Sequence, residues 1–187
     1  MISFRIRVIA LVMVAGCQAA HVEHPITQAA GGTDADSQLE FWSELESQPI
    51  TSNDDAFHGL LLYLDGNDAA TDYAHRLAAL KARGLLLPGF DRPADEAVSR
   101  GVLAVAIAKV LQIKGGVMMR LTAGNFDRYA LRELVYRKVY PAGSENQTFS
   151  GAEYVGIIGK IDDYQHGDPA NVPATVLPSE MQAARLR

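Results

Sequence analysis

Most apolar residues of this chain recur every three or four positions, the spacing of helices with one buried face. One stretch departs from that pattern. From Val98 to Gly116 the chain reads VSRGVLAVAIAKVLQIKGG, and Val102–Ala108 is apolar without a break. Ala104, Ala106 and Ala108 favour a helix over a strand, because alanine is the best helix former and poor in sheets. Ser99 is the expected N-cap and Gly115-Gly116 the expected stop, with Lys109 and Lys114 suiting the C-terminal dipole. A helix apolar on nearly every side belongs in the middle of a domain.

Around it the pattern predicts further helices. Leu39–Leu45 is a short one, with Leu39, Trp42 and Leu45 on one face. Asp54–Leu64 follows Pro49 and a choice of caps in Thr51, Ser52 and Asn53; Phe57, Leu60, Leu61 and Leu64 form its apolar side, His58 lies at the boundary, and Asp65-Gly66 ends it. Asp72–Arg83 points Tyr73, Leu77 and Leu80 inward, with Ala74 and Ala78 beside them, and Gly84 stops it. Leu85–Phe90 is an apolar connector that must be covered, Asp91–Ala97 a polar loop, and Met118–Phe126 a second connector. Asn125 or Asp127 opens a helix over Arg128–Val139, with Leu131, Leu134 and Val135 on the core side. Ser150 caps a last helix, Gly151–Tyr164, whose Gly151, Gly156 and Gly159 suggest close packing against a neighbour. The fold class is all-α, a small helical bundle.

Two segments repeat. Tyr73-Ala-His-Arg76 is echoed by Tyr129-Ala-Leu-Arg132, and each opens a helix, loop, serine cap, helix sequence, with Ser99 matched by Ser150. A helix–loop–helix unit cannot bury its apolar face alone, so units at about 72–116 and 128–164 are expected to pack together. The helix at 54–64, or that at 39–45, would supply a half-unit that closes the bundle.

The N-terminus places the protein. Arg5 and Arg7 precede a short apolar run, Val8–Ala15, too short to span a bilayer. It ends in Val14-Ala15-Gly16-Cys17, around the single cysteine of the chain. This resembles the lipobox of bacterial lipoproteins. The resemblance implies a signal peptide over 1–16, cleavage before Cys17, and acyl chains on Cys17 that anchor the protein to membrane; several chains anchor stably where one is marginal. Gln18 in place of Asp implies the outer membrane, facing the periplasm. Cleavage removes Arg5 and Arg7, so the net charge of −5 falls by two further units. Such a body lacks the basic footprint of a nucleic-acid binder. Residues 17–38 lack periodicity and are expected to form a flexible tether, 39–165 the helical domain, and 166–187 a tail.

A second resemblance rests on the first unit. Leu77-x-x-Leu80-x-x-x-Gly84-Leu85-Leu86-x-x-Gly89-Phe90-x-Arg92-Pro93, then Val98-Ser99-Arg100, is similar to an S-layer homology repeat. That family implies noncovalent binding of cell-wall glycan, usually through three repeats, and its main ligand-contacting arginine falls on Arg100; Arg92 in the preceding loop would close the same site. The chain departs from the family at Gly101-Val102, where Ala-Glu belongs, and at Ser150-Gly151-Ala152-Glu153, which keeps the glutamate and lacks the arginine. The alternative role for both arginines is pairing with Asp91, Asp95 and Glu96.

No catalytic motif is visible. A Gly-x-Ser-x-Gly elbow, a His-Glu-x-x-His pair, a Cys-x-x-Cys pair and a phosphate loop are all missing. His21 and His24 lie in the presumed tether, and Asp65, Asn67 and Asp68 lack the spacing of a calcium loop. Neither cofactor nor metal is expected. A non-enzymatic envelope lipoprotein that binds glycan is the first expectation. An assembly lipoprotein that binds an envelope protein is the second, and a hydrolase with a scattered site is the third.

Overall fold

The computed structural model describes residues 19–28, 34–113 and 126–167. Cys17, the Gly115-Gly116 stop, the 118–125 connector and the tail beyond Gly167 lie outside them. The described residues contain a 3₁₀ turn, Ile26–Gln28, and six helices: α1 Ala35–Ser47, α2 Asn53–Asp65, α3 Tyr73–Ala82, α4 Arg100–Val110, α5 Asp127–Tyr136 and α6 Gly151–His166. The fold is all-helical, and no described helix is long and apolar enough to cross a membrane.

By chain order the described helices fall into three pairs, α1–α2, α3–α4 and α5–α6. The second helix of each pair packs on the first helix of the next: α2 on α3, α4 on α5, and α6 back on α1. The ring therefore closes, and α1–α2 is a full pair rather than the half-unit the sequence suggests. Each second helix is opened by a serine whose hydroxyl accepts from the third residue on: Ser52 from Asp55, Ser99 from Val102 and Ser150 from Glu153. The residues just before these caps, Thr51, Val98 and Phe149, are fully buried together. Val98 N donates to Thr51 O at 3.0 Å, and Thr51 N donates to Phe149 O at 2.9 Å. Three helix starts thus meet at one centre, where loop backbones satisfy each other instead of water.

The ends of α3, α4 and α5 follow one chemistry. In α3 Gly84 adopts φ +68° and Leu85 N donates back to Leu80 O. In α4 and α5 the left-handed position falls on Gln112 and Lys138, and Ile113 N and Val139 N make the equivalent bonds to Ala108 O and Leu134 O. Each is a Schellman end whose next residue, Leu85, Ile113 or Val139, is apolar and buried. So α4 ends at Val110, ahead of the glycine pair, because the apolar Ile113 must turn back into the core. The same closure ends α5 at Tyr136, three residues short of Val139.

Other expectations need correcting. α1 begins at Ala35, capped by Asp34, and buries Phe41 and Leu45 while Leu39 is exposed. In α3 the buried residues are Arg76 and Leu80; Ala74 and Ala78 face solvent. α2 is buried without interruption from Asn53 to Leu62, so it shares the central role expected of α4 alone. Of the α6 glycines, only Gly151 is closely packed: a Cβ there would lie 1.5 Å from Leu45 O, whereas Gly156 and Gly159 have nothing within 4 Å. The described part of the presumed tether is docked. Ala97 N donates to Ala20 O and Val22 N to Asp95 O, both at 2.8 Å, and Ile26 is buried.

Candidate functional site

Arg100 is the first residue of α4, which places its side chain at the meeting point of the helix starts. It is buried there. Its Nη2 donates to Glu153 Oε1 at 2.7 Å, its Nε to Thr148 O at 3.3 Å, and its guanidinium lies 5.0 Å from the Phe149 ring centre. Its own backbone is held too: Arg100 N donates to Gln147 O, and Tyr140 Oη donates to Arg100 O. Only Nη1 meets no partner among the described residues. The arginine of one serine-capped start is thereby paired with the glutamate of the next. Burial alone would raise the Glu153 pKa, but the Arg100 hydrogen bond, the Ser150 amide and the guanidinium charge outweigh it and hold it below the usual range. Glu153 also completes a capping box with Ser150.

The spaces beside Arg100 explain its neighbours. A Cβ on Gly101 would come within 2.7 Å of Asp127 Cβ, so α5 sits where a larger residue would project. At Gly151 the backbone of α1 leaves no room for a side chain at all, so an arginine there is sterically forbidden.

Arg92 is different. It lies in the loop before α4, its side chain 53% exposed, and it pairs with Glu96 four residues on. The two predicted arginines thus have separate partners: Glu96 pairs Arg92, as one sequence alternative had it, while Arg100 is paired by Glu153, which that alternative did not include.

A second cluster was not foreseen. Asp68 Oδ2 accepts from Arg76 Nε at 2.5 Å and from His58 Nδ1 at 2.6 Å, and Asp68 Oδ1 accepts from Ala70 N. Arg76 Nη1 donates to Asp54 Oδ1 at 2.7 Å, and Thr27 Oγ1 donates to Asp54 Oδ2 at 2.6 Å. Asp55 accepts from Ser52 Oγ and Thr27 N. Burial would raise the Asp68 pKa, yet the hydrogen bonds from His58 and Arg76 bring it below the ordinary value. Arg76 is shifted upward, its two carboxylate partners outweighing desolvation. Asp55 goes the other way: burial is the largest influence and raises it. The available signal was the position of Arg76, three after Tyr73 and four before Leu80 on the inward face of α3, where a charge requires a partner.

A carboxylate-oriented imidazole is a general-base arrangement in other contexts. Here His58 is buried and packs at 4.5 Å, edge to face, against Phe41, and its Nε2 meets no hydroxyl or thiol among the described residues. The cluster ties α2 to α3 and to the N-terminal segment. Among the described residues no three His, Cys, Asp or Glu side chains converge as a metal site.

The surface offers two further features. An apolar groove is lined by Leu86, Leu87, Phe90, Val102 and Val105 with Asp127 at its edge. Phe126 and Tyr136, at the two ends of α5, are 55% and 61% exposed. Comparison of the chain with protein-family models, with curated proteins and with solved structures gave no match.

Proposed function

We propose that this chain is a lipid-anchored protein of the bacterial envelope, held through Cys17 to the outer membrane and facing the periplasm, whose helical domain binds cell-wall glycan and performs no chemistry of its own. The observation that carries the glycan reading is the presence, among the described residues, of three helix pairs in chain order, each with a serine-capped second helix that packs on the next pair, α6 returning to α1. Three repeats are what the S-layer homology resemblance implies, and sequence alone had yielded two. Within that reading the two arginines divide the work. Arg100, buried and tied to Glu153, holds two helix starts together; Arg92, with a half-exposed side chain bonded to Glu96 through Nη1, is the cation a carboxylate-bearing or pyruvylated glycan would meet.

Pelleting of the purified protein with envelope glycan tests this. Arg92→Ala is expected to weaken pelleting and to lower melting, because it strands the buried Glu96, whereas Arg92→Ala combined with Glu96→Gln is expected to weaken pelleting with little change in melting. Arg100→Ala is expected to lower the melting temperature. Absence of pelleting by the unsubstituted protein would overturn the glycan reading. Exposed Phe126 and Tyr136 favour a second reading, an assembly lipoprotein that docks an envelope protein on α5. Under it, crosslinking from residue 132 in intact membranes captures a defined protein partner, and Phe126→Ser with Tyr136→Ser abolishes the capture.

A further inference from the structure

The anchor and the fold meet at Ala20. A freely jointed tether over residues 17–38 would let the domain wander about 25 Å from its lipid and turn in any direction. The described segment does not behave as one. Ala20 O accepts from Ala97 N, Val22 N donates to Asp95 O, and His21 Nδ1 lies 3.0 Å from Asp95 Oδ2. Seven residues later Thr27 is bonded to Asp54 and Asp55. Only two residues separate Cys17 from Ala20, and the three residue steps between them reach about 11 Å at full extension. That is shorter than the radius of gyration of about 15 Å expected for a domain of this size.

We propose that the face built from residues 20–24, 48–50 and 94–96 rests on the lipid bilayer, so that the domain is held against its membrane in one orientation. This rests on lipidation of Cys17. Residues 21–24 and 48–50 line an open groove of about 300 Å³ on that face. Glu23 and Asp95 make the face acidic rather than basic, so the acyl chains and the short leash impose the orientation, not attraction to anionic headgroups. Backbone bonds link Ala20 through Ala97 and Thr51 to the helix-start centre. From that centre α4 and α6 carry Gln112 and His166 about 16 to 24 Å along their axes, and both are exposed.

The experiment uses the full-length lipidated protein in vesicles of phosphatidylethanolamine and phosphatidylglycerol containing nitroxide-headgroup lipid. Acylation consumes the only native thiol, so an added cysteine is the sole labelling point. Fluorophores are placed by Glu23→Cys, Pro49→Cys, Gln112→Cys and His166→Cys, each at an exposed position. Quenching is expected to be several-fold stronger at positions 23 and 49 than at 112 and 166. Insertion of a 20-residue Gly/Ser linker after Gln18 is expected to erase the difference. Equal quenching at all four sites, or an ordering that survives the linker, overturns the orientation. Mass analysis of the N-terminal peptide in the same preparation separates the two layers. Lipid on Cys17 with equal quenching defeats the orientation alone; an unacylated Cys17 defeats the anchor and the orientation together.

Discussion

Gly151→Ala is a sharp test of the packing, because a control in the same helix predicts the opposite sign. The added Cβ would lie 1.5 Å from Leu45 O and 2.5 Å from Leu45 C, where real Cβ atoms do not come within 3.0 Å. Both obstacles are backbone, so no side chain can swing away. The start of α6 and the end of α1 must part by about 1.5 Å, which strains the Gly151 N to Gln48 O bond at 2.9 Å and the seam that closes the ring. Overpacking of this kind costs about 1–3 kcal/mol, and a backbone obstacle favours the upper end. Against it stands a gain of about 0.4–1 kcal/mol from restricting the unfolded chain. The net expectation is a loss of about 2 kcal/mol, or about 4–8 °C in melting temperature for a domain of this size. Gly156 and Gly159 lie within α6, exposed, with nothing within 4 Å. Alanine at either is expected to stabilise by about 0.5–1 kcal/mol through helix propensity. Urea denaturation followed by circular dichroism reads all three variants. If Gly151→Ala is as stable as Gly159→Ala, α6 does not meet α1 as described and the ring closure is wrong.

Other expectations follow from burial and charge. Ala106→Asp in α4, at a position 1% exposed, places an unpaired carboxylate in the core and should cost several kcal/mol, enough to prevent cooperative melting of the purified domain. Arg76→Met strands Asp54 and Asp68 and should destabilise by about 3–5 kcal/mol, whereas Asp65→Asn, which breaks the exposed pair with Arg83, should change urea midpoints by less than about 1 kcal/mol. Asp68 has a folded pKa below its reference value of 3.8, so its contribution is present above that value and is lost as pH falls through the lower folded one. Stability measured from pH 5 downward should therefore fall less steeply in Asp68→Asn than in the unsubstituted protein. Asp55 has the opposite sign: its pKa is raised, so its contribution is present below 3.8 and lost as pH rises through the folded value, and Asp55→Asn should remove that loss.

What the sequence determined by itself is local. The 3.6-residue period, the serines at 99 and 150, Gly84 and the alanine-rich run after Val102 specify helices through propensity, capping and backbone conformation, which act within a few residues. The all-α class followed from them. Tertiary structure decided whatever depends on a partner distant in the chain. Leu39 has the same hydropathy as Leu45, but only Leu45 lies where α6 crosses α1, so one is exposed and the other buried. Arg76 and Arg100 look like surface cations until Asp54, Asp68 and Glu153, 8 to 53 residues away, satisfy them. The segment from Ala20 to Val22 has no pattern of its own, and it is ordered by the edge that Asp95–Ala97 presents to it. The third helix pair was hidden for the same reason. Its α2 begins Ser52-Asn53-Asp54-Asp55, which shares only a serine and, with Ser150–Glu153, an acid three residues on, and its place is set by what α3 and α6 bury against it and α1.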